Sequence, residues 1–124
     1  MTKTQLIARV AFITCLALIS WMALSPNPPN PAGLFSLDKL NHLGAFFVLA
    51  VLLDYAWLDM TRFSLKCLSL LFFGLAIEYA QSQTGYRYFE WFDVLADALG
   101  VSAYWLIRRW CSRYVDPLLM RYIG

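Results

Sequence analysis

The chain alternates long apolar runs with short polar breaks. Apolar positions dominate from Leu6 to Leu24, from Leu40 to about Leu58, from Phe63 to Ala80 and from Phe92 to Ile107. A helix that crosses a bilayer takes about 20 residues at a rise of roughly 1.5 Å each. The first three runs have that length, and the fourth reaches it with the aromatic residues in front of it. Strands do not fit, because the runs are too long and do not alternate. The pattern predicts an all-α, polytopic membrane protein with four transmembrane helices. The stretch "SPNPPNPAG", Ser25 to Gly33, cannot continue a helix and is read as a loop. No internal repeat or low-complexity tract is visible, so residues 1–124 are read as one domain.

Composition strengthens this picture. The hydrophobic fraction is 60%, against roughly 45–50% in soluble domains, and mean hydropathy is +0.57. A soluble bundle this small cannot hide so much apolar surface, since small chains bury a smaller share of their area. The first run could be a signal peptide, but it is longer than the roughly 7–15 apolar residues usual for one. Its small-x-small site, Ala23-Leu24-Ser25, is followed by Pro26. A retained helix is expected.

The net charge of +2 says little, but its distribution sets an orientation. With the N-terminus inside, Lys3, Arg9, Arg62, Lys66, Arg108, Arg109, Arg113 and Arg121 fall on the inner side, and Lys39 and Arg87 on the outer. That asymmetry follows the positive-inside rule and predicts cytoplasmic termini. Trp21, Tyr86, Tyr88 and Trp91 would form the outer aromatic belt, and Trp57, Trp105 and Trp110 the inner one.

Against this background one segment stands out: "IEYAQSQTGYRYFEWFDVLADALG", Ile77 to Gly100, carries Glu78, Gln81, Arg87, Glu90, Asp93 and Asp97. Helical spacing puts Asp38 and His42 on one face of the second helix, Glu78 and Gln81 on one face of the third, and Asp93, Asp97 and Gly100 on one stripe of the fourth. Alternating chain direction sorts them into two layers of one leaflet. The outer layer holds Asp38, Lys39, Gln81, Arg87, Glu90 and Asp93. A layer roughly 5 Å deeper holds His42, Glu78 and Asp97. Ionisable groups at membrane depth face a bundle interior or a water-filled cavity and mark functional sites. The structural alternative is an ion-pair lid that orients helices. Five acids against two cations weigh against a pure lid, since protons, His42 or an external cation must balance the remainder.

These residues resemble the VanZ-like membrane proteins. Asp38-Lys39-Leu40-Asn41-His42 matches a D-K-x-x-H opening, and Glu78, Gln81, Arg87, Glu90, Asp93 and Gly100 match the pattern that follows. The likeness covers about 38–107, and Asp97 stands where that pattern has Asn. The resemblance implies a multi-pass protein of the bacterial inner membrane with a cell-envelope role related to glycopeptide (teicoplanin) resistance. It implies no reaction.

Other features are plainer. Cys15, Cys67 and Cys111 sit within a helix or toward the cytoplasm, so no disulfide is expected. Metalloprotease, nucleotide-binding and serine-hydrolase motifs do not occur, and no cofactor is assigned. Ala96, Gly100 and Ala103 predict a close helix–helix contact. Asp54 is expected to pair with Arg62 or Lys66. The tail "RRWCSRYVDPLLMRYIG" reads as an interfacial anchor, not a nucleic-acid reader. Three functions remain open. The first is an outer-leaflet pocket for a lipid head group or envelope precursor, with Arg87 and Lys39 meeting its anion. The second is a hydrolase or transferase on a lipid-linked substrate, with Asp38, His42, Glu78 and Asp97 as cation site or general base. The third, a small cation- or proton-coupled multidrug transporter, is disfavoured because the first helix lacks an acid.

Overall fold

A computed structural model describes residues 1–25, 37–58, 62–85 and 89–122, with the side chains of Leu37, Asp38, Lys39, Phe63, Arg109 and Cys111 outside the described set. The chain is all-α: α1 (Lys3–Leu24), α2 (Leu37–Ala56), α3 (Phe63–Ser82), α4 (Trp91–Trp110), a π-helical stretch (Cys111–Val115) and α5 (Asp116–Tyr122). Three of the four expected runs lie within a long helix, the second outlasts its helix, which ends at Ala56 with Trp57 and Leu58 in a turn, and the tail adds a fifth helix.

Local chemistry explains the boundaries. Thr2 caps α1 by accepting the Gln5 N–H at 3.1 Å, as a threonine at a helix N-cap does. Ser25 turns extended directly after α1, the conformation that Pro26 imposes on the residue before it. α3 ends with Gln83 and Thr84 N–H groups bonded back to Ala80 and Gln81 carbonyls. Gly85 follows at φ +83°, a backbone state glycine enters without strain. At the far end, Pro117 offers no N–H for the regular ladder, and a proline ring disfavours an α-helical carbonyl four residues before it. The π-helical stretch that precedes it spreads the ladder there.

α1 to α4 run antiparallel to their sequence neighbours. α2 is central and packs on α4 and α1. Three inward stripes at helical spacing meet: His42, Phe46, Ala50 and Asp54 on α2; Lys66, Leu70, Gly74 and Glu78 on α3; Asp93, Asp97, Gly100, Tyr104 and Arg108 on α4. Their middles make the core, with Phe12, Phe46, Leu49, Leu70, Val101 and Tyr104 buried together. Their ends are polar. α2 and α4 approach closely at Gly100, where a Cβ would come within 2.3 Å of the Leu43 carbonyl oxygen. The small-residue contact expected there is present.

The surface is the reverse of a soluble protein's. Leu6, Ile13, Leu68, Phe72, Leu99 and Leu106 are exposed, Phe72 and Leu106 by 74% and 76%. Asp54, Lys66, Glu78, Gln81, Asp93 and Asp97 are buried. Among the described residues α1 alone is both long and apolar enough to cross a membrane, and the apolar part of α2, Leu40–Ala56, is shorter. Trp21, Trp91, Trp105 and Trp110 are exposed. Trp57 is half-buried just past the end of α2. Its ring packs edge-on against Phe12 and lies under the Arg9 guanidinium at 4.8 Å. Tyr86 and Tyr88 lie outside the described residues.

Candidate functional site

The two polar ends of the bundle differ in kind. At the end holding the N-terminus, Asp54 is fully matched. Its Oδ1 accepts from Lys66 Nζ at 2.8 Å, and its Oδ2 from the Tyr104 hydroxyl at 2.6 Å and Arg108 Nε at 3.3 Å. Lys66 also donates to the Trp57 carbonyl, and Arg9 Nε to that of Ala56 at 2.8 Å. Both cations therefore satisfy carbonyls that the end of α2 leaves without helical partners. Of the two partners expected for Asp54, the structure brings Lys66. Tyr104 and Arg108 were not foreseen, although they continue the Asp93–Asp97–Gly100 stripe at intervals of four. This end is a clamp. An apolar recess of about 380 Å³ lies beside it, lined by Phe12, Leu16, Leu53, Trp57 and Phe73 among others.

The opposite end gathers chemistry that is not all internally matched. His42 Nδ1 lies 2.7 Å from Asp97 Oδ1, and His42 Nε2 lies 3.7 Å from Asp93 Oδ2. An ionised carboxylate only accepts, so the shorter contact places a proton on Nδ1 and points Nε2 toward Asp93. Glu78 is completely buried. Its Oε2 accepts the backbone N–H of Glu90 at 3.2 Å, while its Oε1 is buried with no hydrogen-bond partner among the described residues. His42, Glu78 and Asp93 each present a ligand atom, all within 4.8 Å of one another.

The other expected residues fall as follows. Gln81 is buried but serves α1, donating from Nε2 to the Ala23 carbonyl at 2.9 Å. Glu90 contributes its backbone and leaves its side chain exposed. Arg87 and the side chains of Asp38 and Lys39 lie outside the described residues. Two layers were expected, with Asp93 in the outer one, yet Asp93 is buried and reaches the same imidazole as Asp97. The cause is helical: Asp93 and Asp97 share a face one turn apart, so their carboxylates converge on the two edges of one His42 ring.

Such a cluster has three uses: it can hold a cation, share protons, or orient a polar head group. Over 95 residues the chain is 33% identical to an uncharacterized protein of Schizosaccharomyces pombe. The matched stretch covers 73% of this chain, and the chain spans about half the length of that relative, 56%. No protein-family model matches the chain, and no solved structure does.

Proposed function

We propose that the chain is a VanZ-like integral membrane protein that crosses the bilayer four times with both termini cytoplasmic. In a bacterium its place is the inner membrane. Its pocket of His42, Glu78, Asp93 and Asp97 receives the head group of a membrane lipid or a lipid-linked envelope precursor. The supporting observation is the inverted surface: apolar side chains face outward on the long helices while carboxylates are buried between them beside a half-buried imidazole. An apolar exterior of this extent needs lipid or a partner to cover it. Ionisable groups inside such a bundle are functional candidates by default. Helices of 20 residues are about 30 Å long, the thickness of a hydrocarbon core. The similar fungal stretch favours a head group common to bacteria and fungi, such as a phospholipid or polyprenyl phosphate, over a precursor confined to bacterial walls.

A second reading is a hydrolase or transferase acting on such a lipid. The observation behind it is the Asp97–His42 pair, in which a buried carboxylate orients an imidazole as it would a general base.

The test uses the full chain expressed in membranes. It should resist alkaline carbonate extraction and carry a defined lipid into native mass spectrometry. His42→Gln and Glu78→Gln should lose that lipid while melting near the parent. Release by carbonate, or the same lipid complement in folded variants, overturns the reading.

A further inference from the structure

We infer that His42, Glu78 and Asp93 form a binding site for a divalent transition metal, with Asp97 as the positioning residue behind the imidazole. The inference rests on the reading of this pocket as the functional site and names the cation that site would hold.

Three observations converge on it. First, one atom from each residue lies within 4.8 Å of the others. Zinc bound at about 2.0–2.1 Å sets neighbouring tetrahedral ligands roughly 3.4 Å apart, and His42 Nε2 and Asp93 Oδ2 are already at 3.7 Å. Second, Glu78 is buried to 0% exposure, with Oε2 on the Glu90 N–H and Oε1 unmet among the described residues. A buried acceptor without a partner costs about 1–3 kcal/mol, more when charged. A cation in the space shared with Asp93 and His42 removes that cost. Third, Asp97 Oδ1 holds His42 Nδ1 at 2.7 Å. Metal-ligating histidines are oriented in this manner, the second ring nitrogen donating to a carboxylate.

A doubly protonated imidazole between Asp93 and Asp97 accounts for the two histidine contacts. It leaves Glu78 Oε1 unmet, and a cation seated among Glu78, Asp93 and His42 would satisfy that oxygen together with both other ligands. One imidazole nitrogen with two carboxylates selects Zn²⁺ or Mn²⁺ over Ca²⁺ or Mg²⁺, which take oxygen-rich shells. Three protein ligands leave a coordination position for water or for a phosphate oxygen of a head group.

The experiment uses full-length protein purified in detergent, stripped with EDTA and dialysed separately against Zn²⁺, Mn²⁺ and Mg²⁺. One Zn²⁺ or Mn²⁺ per chain is expected by elemental analysis, with a raised melting temperature and no comparable Mg²⁺ binding. Glu78→Gln and Asp93→Asn should bind about 100-fold more weakly or not at all, and Asp97→Asn about 10–100-fold more weakly. Folded wild-type protein without stoichiometric metal overturns the site, as does wild-type affinity in Glu78→Gln. If a variant fails to fold, the wild-type stoichiometry still decides, and Co²⁺ added to wild type should give visible absorption bands that EDTA abolishes. Lipid retained without metal defeats this inference and spares the lipid pocket. Metal bound without lipid does the converse.

Discussion

His42 Nδ1 and Asp97 Oδ1 meet at 2.7 Å across 55 positions of sequence. The contact joins α2 to α4 and fixes which imidazole nitrogen faces Asp93 and Glu78. It also gives a role to the position where the VanZ-like pattern has Asn. Either side chain presents an oxygen to the Nδ1 proton, but only Asp adds charge.

Replacement at Asp97 should therefore grade by hydrogen-bonding capacity. Asp97→Asn keeps an accepting oxygen and should melt close to the parent. Asp97→Leu leaves the imidazole proton buried without that acceptor, at a cost of about 1–3 kcal/mol. Melting in detergent separates the two, and equal losses would mean that the contact does not hold the ring.

A second prediction concerns the Asp54 clamp at the other end. Breaking a buried ion pair by removing one partner costs about 3–5 kcal/mol, because the remaining charge is stranded. Lys66→Met should do this, since Lys66 and Asp54 are both buried. Tyr104→Phe removes one hydrogen bond to a charged group and should cost about 1.5–3 kcal/mol. Neither should alter metal affinity at His42 in protein that folds. A parallel loss of metal would show that the two ends are not independent.

The helix approach at Gly100 supplies a third. Gly100→Ala drives a Cβ to 2.3 Å from a backbone oxygen on α2, while a Cβ at Gly44 meets nothing within 4 Å. Overpacking of this kind costs about 1–3 kcal/mol or more. Gly100→Ala should lower folded yield and melting temperature, and Gly44→Ala should leave both near the parent. The reverse ranking would mean that α2 and α4 do not pack through Gly100.

Much of this arrangement was readable in the sequence, because helical spacing is arithmetic. His42, Glu78 and Asp97 could be placed at one end from chain direction alone, and Gly100 from its small-residue neighbours. What spacing could not give is the third dimension. That Asp93 dips to the same imidazole as Asp97 depends on how α4 leans on α2. That Gln81 turns to cap α1 depends on the Ala23 carbonyl being within reach. Trp57 was placed in the belt because tryptophan commonly sits at the interface. What spacing could not give is that its ring lies under Arg9, which also donates to the carbonyl where α2 ends. Tyr104 and Arg108 carried a legible signal, the continued four-residue stripe, but a tyrosine and an arginine near a helix end also read as interfacial anchors.

The last prediction concerns the membrane itself. Lys and Arg cluster at the end of the bundle that holds Lys3, Arg9, Lys66 and Arg108, so that end should face the cytoplasm and the His42 pocket should open outward. Two exposed positions report on this. Gln83 lies just past α3 at the pocket end, and Ser64 lies in the first turn of α3 at the opposite end. In a background with Cys15, Cys67 and Cys111 replaced, Gln83→Cys should react with a membrane-impermeant maleimide added outside intact cells. Ser64→Cys should react only after permeabilisation. The inverse pattern would place the pocket on the cytoplasmic face, where its head group would come from the inner leaflet. Labelling of both cysteines in intact cells would mean that α3 does not cross the bilayer.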